Sequence, residues 1–159
     1  MPYADCTVLI IDDNPTEIKL LKQAILDELE NVHMTAIING ADVITTIRNS
    51  QSKKAPDAII LDGDMPIMAD QEFLTALANH EHWSQAPIFI LSKGPSTHLS
   101  DRCRRIGQIT VTRRPTTPAL YQAFAGILGQ AIWDAKNFSE AKASRLVESD
   151  VDHLDFPVP

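Results

Sequence analysis

No stretch of this sequence approaches the ~20 consecutive apolar residues that a membrane-spanning helix requires, so helical membrane spans are not expected. The opening MPYADC lacks the charged-then-apolar layout of a signal peptide, and a cytoplasmic location is expected. Cysteine is scarce: Cys6 and Cys103 have no metal-ligand spacing between them and read as two reduced thiols. Basic charge is not in excess either. A formal net charge of -7 argues against a general nucleic-acid binder, which normally carries a basic surface. There are no internal repeats, and residues 131–159 are not expected to form a helix-turn-helix output domain.

What is present is an ordinary globular composition, with 44% hydrophobic and 22% charged residues, rich enough in Ile, Leu and Val to build a core. The 159 residues suit one domain plus an appendage, since domains commonly run ~100–150 residues. Thr7–Ile11 (TVLII) is a short apolar, β-branched run of the kind buried on both faces of a sheet, and it stops at Asp12, Asp13, Asn14 and Pro15. Asn14 can cap a following helix, with Pro15 at its first position and Glu17 placed to complete a capping box; Ile18, Leu21, Ile25 and Leu29 then recur at helical spacing. His33–Ile38 reads as a second strand closed by an Asn39-Gly40 turn, followed by a helix over Ala41–Asn49 and a polar loop, Gln51–Pro56. Ala58–Leu61 is a third strand ending in Asp62. A helix near Gln71–Asn79 is expected to bury Phe73, Leu74 and Leu77. Ile88–Leu91 is a fourth strand ending in Ser92. A weaker helix, Thr97–Ile106, uses Leu99, Cys103 and Ile106 and is stopped by Gly107. Ile109–Thr112 is a fifth strand running into Arg113, Arg114 and Pro115. A helix from about Thr117 is expected to bury Leu120, Phe124, Ile127 and Leu128.

Strands alternating with helices imply right-handed crossovers and a parallel sheet. The expected fold is therefore α/β, a doubly wound five-stranded parallel sheet with helices on both faces. In such folds the site lies outside the carboxyl ends of the strands. Asp12 and Asp13, Asp62, Ser92 and Arg114 stand at four of those ends. Converging carboxylates repel one another and call for a cation, and all-oxygen ligation suits Mg2+. An aspartate can also act as a nucleophile and form an aspartyl phosphate, with a hydroxyl (Ser92) and a fixed cation (Arg114) holding the phosphoryl group.

These residues resemble the response-regulator receiver domains of two-component systems. The likeness spans about residues 5–130 and rests on VLIIDDNP, IILDGDMP with the following IMADQE, IFILS and RRP, together with the separations between Asp62, Ser92 and Arg114. It implies a flavodoxin-like sheet with strand order 2-1-3-4-5. It implies that Asp62 accepts a phosphoryl group from a phosphohistidine on a histidine kinase or histidine phosphotransfer protein, and that the domain signals through a downstream protein partner. Asp12, Asp13, Asp62 and the backbone carbonyl of Asp64 would hold Mg2+. Ser92 and Arg114 would contact the phosphoryl group, and the side chain of Asp64 stands where the family tunes how long that group lasts. The resemblance makes the chain a phosphoacceptor signalling domain rather than an enzyme with turnover.

Three positions depart from the family pattern. Arg114 replaces the usual lysine, and the two cations differ in shape and reach. Val111 replaces the switch aromatic of the fifth strand. Lys93 stands where a small residue is usual. Together they keep open a second reading, a phosphorylation-independent pseudo-receiver acting as an interaction module. Asp62-Gly63-Asp64 also resembles the nucleophile pair of haloacid-dehalogenase-type phosphatases, but that family places the pair after its first core strand.

Charge along the chain is uneven. Lys93 to Arg114 contains six basic residues and one acid, Asp101. A solvated charged face is the default reading of that stretch; by resemblance, the face formed by the fourth helix, fifth strand and fifth helix is where receivers dimerise or dock partners, which makes it the candidate surface for a partner or homodimer contact. His80 and His82 are expected to be surface-loop histidines. Residues 131–159 are expected to form a helical extension, with Ser139 capping a separate short helix, and an acidic tail over Asp150–Pro159.

Overall fold

A computed structural model describes residues 5–50, 55–94, 101, 103 and 109–152, with side chains described to residue 138. Five strands form one parallel sheet: β1 (Cys6–Ile11), β2 (Val32–Ile37), β3 (Ala58–Asp62), β4 (Ile88–Ser92) and β5 (Ile109–Arg113), in the order β2-β1-β3-β4-β5. The helices are α1 (Pro15–Glu28), α2 (Gly40–Asn49), α3 (Gln71–Asn79) and α4 (Pro118–Asp152), with 3-10 turns at Pro66–Ala69 and Trp83–Gln85. The expected α/β sheet and its strand order are thus observed. The helix expected over Thr97–Ile106 lies almost wholly outside the described residues, as do residues 51–54 of the polar loop; within that span Asp101 and Cys103 are helical and Cys103 is buried.

The period-2 alternation of the strands divides the core into two layers. Leu9, Ile11, Ile59, Leu61, Ile88 and Ile90 point to one face and pack with Val43 and Ile47 of α2 and Phe73, Leu74 and Leu77 of α3. Val8, Ile10, Ile60, Phe89 and Leu91 point to the other and pack with Ile18, Leu21 and Ile25 of α1 and Phe124, Leu128 and Ile132 of α4. Every residue of β3 and β4 is buried, as strands covered on both faces require. The Phe89 and Phe124 rings meet edge to face at 5.6 Å.

Several local expectations are corrected. Asn39 does not close a turn: its side chain accepts the Ala41 N–H and caps α2, with Gly40 as the first helical residue. A Cβ at Gly40 would lie 3.1 Å from Ile67 Cβ, so the missing side chain lets the turn after β3 approach closely. Leu120 and Ile127 are exposed rather than buried, because they flank the edge strand β5 instead of lying over the sheet. Ile132, one turn beyond Leu128, is fully buried in their place. Ser139 does not start a separate helix; α4 runs unbroken through it to Asp152, taking in the first residues of the expected tail, whose remainder, 153–159, lies outside the described residues.

His80 is not a surface residue. It is fully buried, stacks on Trp83 at 5.2 Å, and its Nδ1 accepts the backbone N–H groups of His82 (3.0 Å) and Trp83 (2.9 Å). With Nδ1 accepting, the neutral ring carries its proton on Nε2, which faces Ser50 Oγ at 3.4 Å. Ser50 Oγ in turn donates to the Thr46 carbonyl at 2.6 Å, so this chain of bonds ties the end of α2 to the end of α3. Burial pushes the His80 pKa below its ordinary value.

Candidate functional site

Strand register assembles the site. Ile11 pairs with Leu61, so Asp12 and Asp62, the next residues of adjacent parallel strands, come side by side. Asp62 pairs with Leu91, and Ser92 pairs with Arg113, which sets Arg114 just beyond the end of β5. The Arg114 N–H donates to the Ser92 carbonyl at 2.8 Å, holding that end in register. Asp12, Asp62, Ser92 and Arg114 are all buried, whereas Asp13 is exposed at the mouth.

One carboxylate oxygen from each of Asp12, Asp13 and Asp62 falls within a group whose atoms all lie within 4.8 Å of one another. Three hard oxygen donors this close, one reaching solvent, fit an ion such as Mg2+ that keeps part of its water shell. Asp12 Oδ1 accepts the Asn14 N–H at 2.9 Å. Burial pushes the Asp12 carboxyl above its ordinary pKa, against the Asn14 hydrogen bond, and the nearby Asp62 charge adds to the rise. Asp62 Oδ1 accepts the Asp64 N–H at 2.9 Å, which fixes the carboxylate within its own turn. The exposed Asp64 side chain accepts the Lys93 N–H at 3.0 Å through Oδ2, joining the loops after β3 and β4. The Ser92 hydroxyl donates to the Gly94 carbonyl at 3.0 Å.

Arg114 occupies the centre. From the end of β5 its guanidinium passes the end of β4 and lies among three carboxylates. Nη1 is 3.2 Å from Asp12 Oδ2 and also pairs with Glu17 Oε2, and Nη2 is 2.6 Å from Asp62 Oδ1. Burial alone would weaken the guanidinium charge, but Asp62, Asp12 and Glu17 outweigh it and push the pKa above its ordinary value. Nη2 meets Asp62 as an ion pair without hydrogen-bond geometry, and Nη2 and Nε have no hydrogen-bond partner among the described residues. Nη2 is thus held on Asp62 by charge, and Nε is a buried donor without a partner among the described residues, where buried donors are nearly always satisfied.

Glu17 is the site residue that sequence reasoning missed. The capping box supplied a local role for it, but only half of the box forms. The Asn14 side chain accepts the Thr16 and Glu17 N–H groups, while the Asn14 N–H goes to Asp12 rather than to Glu17. The Glu17 carboxylate is left to reach Arg114, a partner 97 positions away that no local pattern announces.

The sequence profile of the response regulator receiver domain family matches residues 8–120. The chain belongs to that family. Receiver domains are signalling phosphoacceptor modules of two-component systems that bind Mg2+ at an acidic site and interact with histidine kinases and downstream partners. Among solved structures, the chain is similar to the phosphorylated cyanobacterial phytochrome response regulator RcpA, with 18% identity, 78% of this chain and 91% of that one covered, and a TM-score of 0.65. It is similar to the chemotaxis protein CheY4 of Vibrio cholerae, with 20% identity, coverage of 79% and 99%, and a TM-score of 0.61. It also resembles the receiver domain of a Pseudomonas aeruginosa sensor histidine kinase, solved with magnesium coordinated in its active-site cleft, with 19% identity, coverage of 81% and 98%, and a TM-score of 0.61. At these identities the likeness establishes the fold. No curated protein sequence matches the chain. Among the described residues no helix is long and apolar enough to cross a membrane.

Proposed function

We propose that this receiver domain accepts a phosphoryl group on Asp62 from a phosphohistidine of a histidine kinase or phosphotransfer protein, and signals by presenting the altered domain to a protein partner. The observation that carries this reading is the Asp12–Asp13–Asp62 carboxylate cluster at the strand ends with the buried Arg114 cation paired to Asp62. Asp62 Oδ1 is occupied by the Asp64 N–H and the Arg114 cation, which assigns the attack to Oδ2. In the transfer, an Asp62 oxygen attacks phosphorus and the P–N bond to the donor imidazole breaks. The bonding pair stays on the imidazole nitrogen, which takes up a proton from solvent. Arg114 Nη2 and Nε, with the Ser92 hydroxyl turned from Gly94, would bind the phosphoryl oxygens. Such transfer is mostly positioning and charge neutralisation, and a prepaid buried cation supplies both.

Asp12, Asp13, Asp62 and the Asp64 carbonyl would hold Mg2+, which when bound supplies countercharge to the carboxylates and the transferring group. The receiver unit is taken as residues 5–130 with a helical extension beyond it; Ile132 and Lys136 of that extension still pack on the domain, Lys136 Nζ lying 3.4 Å from the Asp5 carbonyl. The exposed Leu120 and Ile127 beside β5 support a partner or homodimer contact on that face.

Incubation with acetyl phosphate and Mg2+ followed by intact-mass measurement tests the acceptor. One added phosphoryl group is expected in the wild type and none in Asp62→Ala; no gain in the wild type, or a gain surviving in the variant, overturns the assignment. A second reading, the phosphorylation-independent interaction module, is supported by Arg114 being engaged by three carboxylates before any phosphoryl group arrives. It requires partner binding that beryllofluoride, a phosphoryl mimic, leaves unchanged.

A further inference from the structure

We propose that Glu17 is a positioning residue that anchors the guanidinium of Arg114, so that Nη1 is tied down on α1 and Nη2 is held against Asp62. The inference rests on the phosphoacceptor reading of Asp62 and adds to it a part, supplied by α1, that the motif at the strand ends does not contain.

The division of labour on the guanidinium supports this. Nη1 is taken by Glu17 Oε2 and Asp12 Oδ2, Nη2 is paired with Asp62 Oδ1 without hydrogen-bond geometry, and Nε has no hydrogen-bond partner among the described residues. A planar fork with Nη1 fixed by two carboxylates can turn little, so Nη2 and Nε are held on the Asp62 side rather than searching among carboxylates. A lysine is a point charge with no second edge to fix. The pairing of an arginine at position 114 with a glutamate at position 17 is therefore a matched set: the longer, forked cation needs an anchor on the side away from the acceptor. Glu17 is free to serve because Asp12 takes the Asn14 N–H that a capping box would have given it. Its side chain is partly buried at 20% exposure. Burial pushes its carboxyl pKa up, opposed first by Arg114 and, more weakly, by Lys93.

The anchor makes two requirements of position 17, an acceptor oxygen and the correct reach. Glu17→Gln keeps both and loses the charge. Glu17→Asp keeps the charge and is one methylene short. Glu17→Ala loses everything. Beryllofluoride affinity in the presence of saturating Mg2+ is the readout, with the fold of each variant checked by circular dichroism. Glu17→Ala and Glu17→Asp are expected to bind beryllofluoride about tenfold more weakly than wild type, and Glu17→Gln within about threefold of it, the loss of one oriented charge-assisted hydrogen bond. In an Arg114→Met background, Glu17→Ala is expected to have no further effect, since residues acting through one another are non-additive. Unchanged affinity in Glu17→Ala, Glu17→Gln as weak as Glu17→Ala, or additive losses in the double variant would each overturn the proposal. A wild type that binds no beryllofluoride at all would instead remove the phosphoacceptor reading on which it rests.

Discussion

Replacing Arg114 by methionine tests the electrostatics of the site without any phosphoryl donor. The change keeps much of the volume and removes the cation paired with Asp12, Glu17 and Asp62. The Arg114, Asp12 and Asp62 side chains are 5%, 2% and 6% exposed. Removing one partner of a buried ion pair costs ~3–5 kcal/mol, because the charge left behind is neither solvated nor compensated. Asp13 at the mouth is exposed, so water reaches one side of the cluster, and the lower end, about 3 kcal/mol, is expected. For a domain of this size that is a fall in Tm of roughly 10 °C. Asp62→Asn should act in the opposite direction: it removes a charge that repels Asp12 and leaves Arg114 paired with Asp12 and Glu17, so stability should hold or rise. Urea unfolding at pH 7 in the presence of a chelator, followed by circular dichroism, measures both. Repeating it with Mg2+ should restore part of the Arg114→Met loss, by about 1.4 kcal/mol for each tenfold of free ion above its Kd. Equal stability of Arg114→Met and wild type, or equal losses in the two variants, would show that these charges are not coupled as the geometry requires.

Other regions make separate predictions. The His80 pKa is lowered in the folded state, so its contribution is complete above the unfolded value of about 6.5 and is lost as pH falls through the folded value. The urea midpoint should therefore drop between pH 7.5 and 5.5 more steeply in wild type than in His80→Gln, and parallel curves would refute the buried neutral ring. His80→Gln should itself cost about 1–3 kcal/mol at pH 7.5 if the His82 and Trp83 N–H groups lose their acceptor. Ile132→Ala should cost ~2–5 kcal/mol by emptying a fully buried position, whereas Ile127→Ala, on the exposed side of α4, should stay within about 0.5 kcal/mol. Asn14→Ala should cost about 1 kcal/mol through loss of the α1 cap.

The strands, the first three helices and their buried faces were legible because each is written in a local period. Ile18, Leu21 and Ile25, or Phe73, Leu74 and Leu77, identify their own inward face without knowledge of what covers it. The last helix was legible in existence and in Phe124 and Leu128 of its buried face, but not in the rest of that face. Its apolar residues spread around more than one face, and only the position of β5 at the sheet edge decides that Phe124, Leu128 and Ile132 are covered while Leu120 and Ile127 are not. His80 misled for a related reason. A histidine in a polar loop resembles a surface residue until two backbone N–H groups and Ser50 are seen around its ring.

By itself the sequence determined which groups stand at the carboxyl ends of the strands, and so the chemistry available there: two acids after β1, an acid after β3, a hydroxyl after β4 and a cation after β5. Strand alternation implies the sheet, and the sheet implies that those ends converge. What only the tertiary structure decided is how the charges are shared among them. Hydrophobic periodicity is a property of neighbouring residues, whereas the pairing of a long flexible cation depends on which carboxylates lie within its reach once the strands are in register. Arg114 could have met Asp62 alone. In the folded chain it is shared among Asp62, Asp12 and Glu17, and the residue that anchors it belongs to a helix turn whose local pattern pointed to a different partner.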